Sequence, residues 1–414
     1  MSRWFFALIL GFCTSVMAQE TGSAPSTLTL SALEQMALAN HPTIQAYEQK
    51  IQAGNGYWLQ AGLGPNPEIG YHAEEMSGEG AGKQGISISQ EFLGGSQLYH
   101  AQTLEAQRIE TAKQELEIAR LRIITDVRIA AYEYLAIQNK LLNLRKIYAS
   151  DAELASRLEK SYRNGNTTKL DWVNSRISAR KAEQQYMNAQ NDLNAAWGRL
   201  ACLVGNPELE PCLVRANLEQ IPEQKTWEYY AQVLLSTSPE IARAQAKIEE
   251  ARKKVNYENS RNSTNFSLSG AVAYNTESEM VQGNVGISMP LRVRDRNQGN
   301  ISAACSESIQ AQKDYERVTL NIQHRLADVY AEYANASKDL ELYRDSLLPE
   351  AKEALSLART AYENQETSMI DLISAQRMYL ETNIEYYDAL CVYWTSLTVL
   401  EGKLLTGGLE DSSL

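Results

Sequence analysis

The sequence predicts a mainly α protein with a small β part, in which long coiled-coil helices carry four short strands. Three observations lead there. Two stretches poor in Gly and Pro far exceed the length of globular helices, four segments of about ten residues alternate apolar with polar side chains, and the whole pattern occurs twice.

The chain opens with Arg3, an apolar stretch from Trp4 to Cys13, and then Thr14-Ser15-Val16-Met17-Ala18. A charged start, a short apolar run and a small residue at the cleavage position make residues 1–18 a signal peptide, so the remainder is expected to be exported. The run is shorter than the ~20 residues of a membrane span. Acylation at Cys13 stays open, although Phe12 stands where a small residue is wanted. No later segment reaches the ~18 consecutive apolar residues of a spanning helix, so any membrane role has to use strands.

Eleven of the 23 glycines fall between Gly54 and Gly95. From Ser96 to Arg163 there is neither Gly nor Pro, which reads as one helix on the order of 100 Å long. Asn300 to Glu401 contains no glycine and one proline, Pro349, and reads as two long helical segments. Leu348, Ala351, Leu355, Ala358 and Tyr362 step by 3, 4, 3 and 4, the seam of a coiled coil. Leu144, Ile147, Leu154 and Leu158 step by 3, 7 and 4 and continue the same logic.

The duplication is legible residue by residue. Tyr162, Asn164, Asp171, Tyr186 and Leu200 return 200 positions later as Tyr362, Asn364, Asp371, Tyr386 and Leu400, and His41-Pro42 is echoed by Ser238-Pro239. Residues 19–225 and 226–414 are therefore two structural repeats, each a helix, a β-hairpin and two long helices, with a short tail on the second. The stretch from Gly205 to Gln224 links them.

The strands are two-faced. Ile69, Tyr71 and Ala73 oppose Glu68, Gly70, His72 and Glu74; Ile86, Ile88 and Phe92 oppose Ser87, Ser89 and Glu91. In the second half Phe266, Leu268, Val272 and Tyr274 oppose Ser267, Ser269 and Ala273, and Val281, Val285, Ile287, Met289 and Leu291 oppose Gln282, Asn284 and Ser288. About ten residues is the length of a tilted strand crossing a bilayer. Four strands cannot close a barrel, and open edges in hydrocarbon cost several kcal/mol per unpaired group, so several copies must share one wall. Three copies give twelve strands. The competing reading of the same strands is a soluble sandwich packed on the helices.

The export signal, the duplicated halves, the hairpins and the very long helices resemble the TolC-like outer-membrane efflux factor family over essentially the whole mature chain. Gly64-Pro65-Asn66-Pro67-Glu68-Ile69, Ser87-Ile88-Ser89-Gln90-Glu91-Phe92 and Gly94-Gly95 are similar to the branch paired with heavy-metal (cobalt–zinc–cadmium type) exporters. The resemblance implies a homotrimer: a twelve-stranded transmembrane β-barrel among outer-membrane lipid, above a long coiled-coil α-barrel in the periplasm. It implies an exit duct of a tripartite efflux system of the metal-cation exporting type. The partners implied are a periplasmic adaptor (membrane fusion protein) and an inner-membrane RND-type pump.

Two segments, Asn164 to Asp171 and Asn364 to Asp371, match the family's helix-hairpin tips, where the tunnel narrows and the adaptor docks. The resemblance places docking at Asn164, Gly165, Thr168, Asn364, Gln365 and Ser368, and a pore constriction at Asp371, Ser374 and Asp171. Relatives often carry a second acid three positions after the first. Here those positions hold Ser374 and Asn174, so a carboxylate gate is thinner. From the residues alone, Asp371 and Asp171 are equally well first-turn acids that favour the helix dipole, and both readings stand. Converging Asp371 carboxylates ~6 Å apart would repel by about 3 kcal/mol at an effective dielectric of 20. Such a ring would bind divalent cations and raise its members' pKa values.

No HExxH, CxxC, GxSxG or P-loop occurs, and His41, His72, His100 and His324 form no ligand spacing, so neither enzyme chemistry nor a cofactor or metal site is expected. Cys202 and Cys212 flank a turn containing Pro207 and are a candidate disulfide in an oxidising compartment, bonded or free. Cys305 and Cys391 lie in helical patterns as expected buried thiols. The net charge of −12, with no basic block, excludes nucleic acid as a partner. That acidity either lines a conduit for cations or serves solubility. The alternative function is a periplasmic coiled-coil adaptor or scaffold. It requires a compact domain between the helices, for which amphipathic hairpins are a poor substitute.

Overall fold

Each half of the chain builds the same series of elements. The computed structural model describes residues 28–77, 80–215, 218–364 and 366–405. The expected signal peptide with Cys13, the docking residue Gln365 and the tail from 407 onward lie outside the described residues. The first half contains β1 (Leu28–Thr29), α1 (Leu30–Asn40), α2 (Pro42–Ala61), β2 (Glu68–Ser77), β3 (Gly80–Phe92), α3 (Gln97–Arg163) and α4 (Lys169–Leu203). The linker contributes β4 (Val214–Arg215), and the second half contains α5 (Trp227–Thr237), α6 (Pro239–Ser260), β5 (Phe266–Asn275), β6 (Met280–Ser288), α7 (Gln298–Leu342), α8 (Leu348–Glu363) and α9 (Met369–Glu401).

The start signals repeat with the elements. Thr29 and Thr226 cap α1 and α5 by accepting backbone N–H bonds, from Ala32 and Tyr229. Pro42 and Pro239 open α2 and α6, where the missing proline N–H costs nothing. In α3, 67 residues run without a break. Its counterpart is α7 and α8 joined through a single π-turn, Tyr343–Leu347, so the rod is continuous past Pro349. The N–H of Leu348 reaches the carbonyl of Tyr343, five residues back, which shifts the hydrogen-bond ladder just where Pro349 lacks a donor. The division of the long C-terminal segment therefore falls at the turn after Glu363, not at Pro349.

Four strands form one antiparallel sheet in the order β2-β3-β5-β6. The register aligns Ile69, Ile88, Gly270 and Val285 in one row and Tyr71, Ile86, Val272 and Gly283 in the next. All rows of this parity share one face, so the apolar residues of both hairpins gather on one side and remain exposed. His72 pairs with Gly85, and Ala271 with Asn284, on the opposite, polar face. Below the sheet, α3 packs on α2 and α6, and α6 packs on α7. The helices thus follow the order α2-α3-α6-α7, the same order as the strands above them. Among the described residues β2 and β6 are the edge strands and α2 and α7 the outer helices of this layer, with α7 also packing on α9.

The core sits around the middle of α3, which also packs on α1, α4 and α9. Leu33, Ile123, Val127, Leu200, Leu326, Leu390 and Tyr393 fill it. The linker between the halves is fastened to this core twice: the indole N–H of Trp197 donates to the carbonyl of Leu209 at 2.8 Å, and that of Trp394 to Leu218 at 2.8 Å. β1 pairs in parallel with β4, so the start of the first half is joined to the linker as well.

Cys202 and Cys212, the candidate pair left open as bonded or free, are both free thiols. The reason is helical phase: Leu200 and Ala201 turn into the core, whereas Cys202 is exposed on the last turn of α4. Cys212 is buried beneath Tyr134, whose hydroxyl donates to the Cys212 carbonyl, and burial pushes its thiol pKa up. Cys305 is exposed rather than buried. Cys391 lies in a half-buried site where burial pushes its pKa up to about 11.

Candidate functional site at the helix tips

The two tips are built by the same local chemistry. α3 ends on Asn164 and Gly165 with the paired bonds of a Schellman motif: Gly165 N–H to Tyr162 O at 3.0 Å and Asn166 N–H to Ser161 O at 2.9 Å. Gly165 has φ +75°, the left-handed conformation that makes glycine necessary there. At the second tip, Asn364 N–H reaches Thr360 O and Glu366 N–H reaches Ala361 O, displaced by 200 residues from the bonds of Asn164 N–H to Lys160 O and Asn166 N–H to Ser161 O. Thr168 then caps α4, and Ser368 caps α9 with a full capping box.

Asp371 completes that box. Its Oδ2 accepts from the Ser368 hydroxyl at 2.6 Å, the Thr367 hydroxyl at 2.9 Å and the Ser368 N–H at 3.2 Å. These bonds favour the charged form and hold its pKa below the ordinary carboxylate value. Asp171 occupies the same position on α4, accepting from the Thr168 hydroxyl at 2.6 Å. Both acids thus serve as first-turn caps, and Asp371 commits one oxygen to that role.

A cavity of about 320 Å³ lies behind the tips, between α3, α4 and α9. Asp171, Asn174 and Ser374 line it together with Ile370 and Ile373; Asp371 is not among its lining residues. At its inner end Asp151, only 3% exposed, forms a clasp across three helices. The Ser178 hydroxyl donates to Asp151 Oδ2 at 2.9 Å, and the Arg377 guanidinium donates to Ser178 Oγ at 2.7 Å and to Asp151 Oδ2 at 3.3 Å. Arg377 also pairs with Glu381 at 2.8 Å, and this bond is the main reason its pKa is raised. The tips are otherwise solvent-facing. Tyr162 stacks on Trp172 at 5.1 Å with Arg176 over the indole, while Leu170, 67% exposed, and its counterpart Ile370 project from the two tips.

The clasp is absent from the sequence-level site, yet its signal was present. The step of 7 between Ile147 and Leu154 passes over Asp151, which occupies the intervening seam position. An acid inside an apolar seam needs a buried partner. Arg377 and Asp151 stand where the other half has Ile177 and Ala351, so the clasp also breaks the internal symmetry. Among the described residues no group of three or more His, Cys, Asp and Glu is placed to hold a metal ion, and no helix is long and apolar enough to cross a membrane.

A sheet with one uncovered apolar face, set above an ordered wall of long helices, defines a class of protein: a segment of a channel wall. The chain belongs to the outer membrane efflux protein family, whose model matches residues 33–206 and 230–401. It is 24% identical over 395 residues to the cobalt-zinc-cadmium resistance protein CzcC of Cupriavidus metallidurans, covering 94% of this chain and 92% of that protein. Among solved structures it is similar to the outer membrane protein VceC of Vibrio cholerae, with TM-score 0.70, 19% identity and coverage of 91% of this chain and 96% of that one. The open state of the Neisseria gonorrhoeae MtrE outer membrane channel matches with TM-score 0.71 at 17% identity, covering 92% and 89%. The predicted fold class, long helices with four strands per chain, is the observed one.

Proposed function

We propose that three copies of this chain close into the exit duct of a tripartite efflux system that exports divalent metal cations. The observation that carries this is the coincidence of outer edges in the two layers. Among the described residues β2 and β6 have unpaired outer edges, α2 and α7 are the outer helices beneath them in the same order, and the apolar face of the sheet has no cover. Hydrocarbon does not tolerate unpaired strand edges, and joining β6 of one copy to β2 of the next removes them. Three copies supply twelve strands, an even number within the known range. The polar face, with His72, Glu74, Gln282 and Asn284, then lines water, and the helices extend as a tunnel into the periplasm.

The tips are the end of the duct that meets its partners. A periplasmic adaptor docks at Asn164, Gly165, Thr168, Asn364 and Ser368, with Leu170 and Ile370 as exposed apolar anchors, and delivers substrate from an inner-membrane RND-type pump. The constriction lies at Asp171 and Ser374, which share the cavity behind the tips, and at the free oxygen of Asp371. The clasp of Asp151, Ser178 and Arg377 holds the tips together in the narrow state. The duct itself is passive. Its excess of acidic over basic residues favours cations by field, and the relationship to a cobalt-zinc-cadmium resistance protein supports metal as the cargo.

The test is twofold. The purified protein should insert conducting pores into planar bilayers, and deleting its gene should lower cobalt, zinc or cadmium tolerance. Pores without any change in metal tolerance contradict the metal assignment alone; no pores contradict the duct.

A further inference from the structure

We propose that the connection from β6 to α7 is a binding site for the phosphate headgroup of a membrane lipid, and that it anchors the sheet at the inner edge of the bilayer. The inference rests on the sheet standing in the membrane. The first observation is an asymmetry between the halves. β3 passes to α3 in four residues, 93–96, with Gly95 packed so tightly that a Cβ would lie 1.7 Å from Ser263 Oγ. β6 passes to α7 in nine residues, Met289 to Asn297, and this longer connection contains Arg292, Arg294 and Arg296.

The second observation is the direction of its side chains. Arg292 turns inward and donates to the carbonyls of Arg261 and Ser263, which pins the segment. Its neighbours turn outward: Leu291 is 81% exposed and Val293 73%. They continue the exposed stripe of Val281, Val285, Ile287 and Met289, so the bilayer-facing side runs past the end of the strand. Beside them lies a cavity of about 640 Å³ lined by Arg261, Arg292, Arg294, Gln97 and Asn265, together with Asp295. The Nε of Arg292 is buried with no acceptor.

Apolar side chains in the acyl boundary with guanidinium groups just beyond them match the two parts of a phospholipid. The chains meet Leu291 and Val293, and the phosphate meets arginines whose planar donors suit its oxygens. A strand of about ten residues spans the hydrocarbon, which sets its helix-side end at headgroup depth.

The experiment uses the detergent-solubilised full-length assembly, titrated with dioleoylphosphatidylglycerol and read by native mass spectrometry. The variant Arg294→Gln should retain less of this lipid by on the order of fivefold. The variant Leu291→Ser/Val293→Ser should also lose it, dioleoylglycerol should not be retained by the unmodified chain, and excess inorganic phosphate should not displace the phospholipid. Equal retention in all chains overturns the proposal. Displacement by phosphate assigns the site to a free anion and overturns it too. Dissociation of the variants with lipid per chain unchanged makes the connection an interface between copies, which also overturns it. Pore formation by the unmodified chain is recorded on the same preparation; its loss contradicts the duct, whereas normal pores without lipid retention contradict the anchor alone.

Discussion

Arg377 is the residue on which the tip geometry converges, since it bridges α9 to Asp151 of α3 and Ser178 of α4. Arg377→Ala leaves a buried carboxylate with one hydroxyl partner, at a cost of roughly 1.5–3 kcal/mol, the scale of a hydrogen bond to a charged group. We expect longer open times and larger single-channel conductance in that variant. The double variant Asp151→Ala/Arg377→Ala should be more stable than the sum of its parts, because no orphaned charge remains. Asp371 supplies a pH prediction. Its pKa is lowered on folding, so its contribution is fully present above the ordinary value of 3.8 and is lost as pH falls through the lowered one. Ser368→Ala should therefore lower the melting temperature at neutral pH, with the difference from the unmodified chain shrinking below pH 3.8; a difference that grows on acidification contradicts the assignment. Caps were legible in the sequence because they are local. The clasp was legible only as Asp151 in its apolar seam, since its partners Ser178 and Arg377 lie 27 and 226 residues further on.

Among the elements, the hairpins were legible because alternation with period two is written in consecutive residues, and the register places every apolar position of Ile69, Ile88, Leu268 and Ile287 on one face. The π-turn before Pro349 was not legible: proline marks a missing donor but not whether the ladder shifts to accommodate it. The Cys202 and Cys212 spacing left bonded and free forms open for a related reason, since proximity in the chain says nothing of which side of α4 the thiol occupies. Two predictions belong here. Gly95, at φ +65°, adopts a conformation costly to other residues and abuts Ser263, so Gly95→Ala should destabilise the sheet–helix junction by about 1–3 kcal/mol. Thermal dissociation of the assembly measures this, and Ser263→Gly in the same chain should recover the steric part only. At the tips, Leu170→Asp with Ile370→Asp should abolish efflux-dependent tolerance while pore formation in planar bilayers stays normal. Normal tolerance in that variant removes these side chains from adaptor docking.

As a whole molecule, a lone chain lacks closure. Among the described residues its sheet has two unpaired edges with α2 and α7 as the outer helices beneath them, and the core around α3 ties both layers into one unit. A curved segment of this kind has no stable place in a bilayer until its ends meet those of other copies. The most direct test is the mass of the particle extracted from membranes. Native mass spectrometry should give three chains, held together in detergent and aggregating when it is withdrawn. A monodisperse single chain in detergent-free buffer, binding no lipid, would contradict the shared wall on which the duct depends.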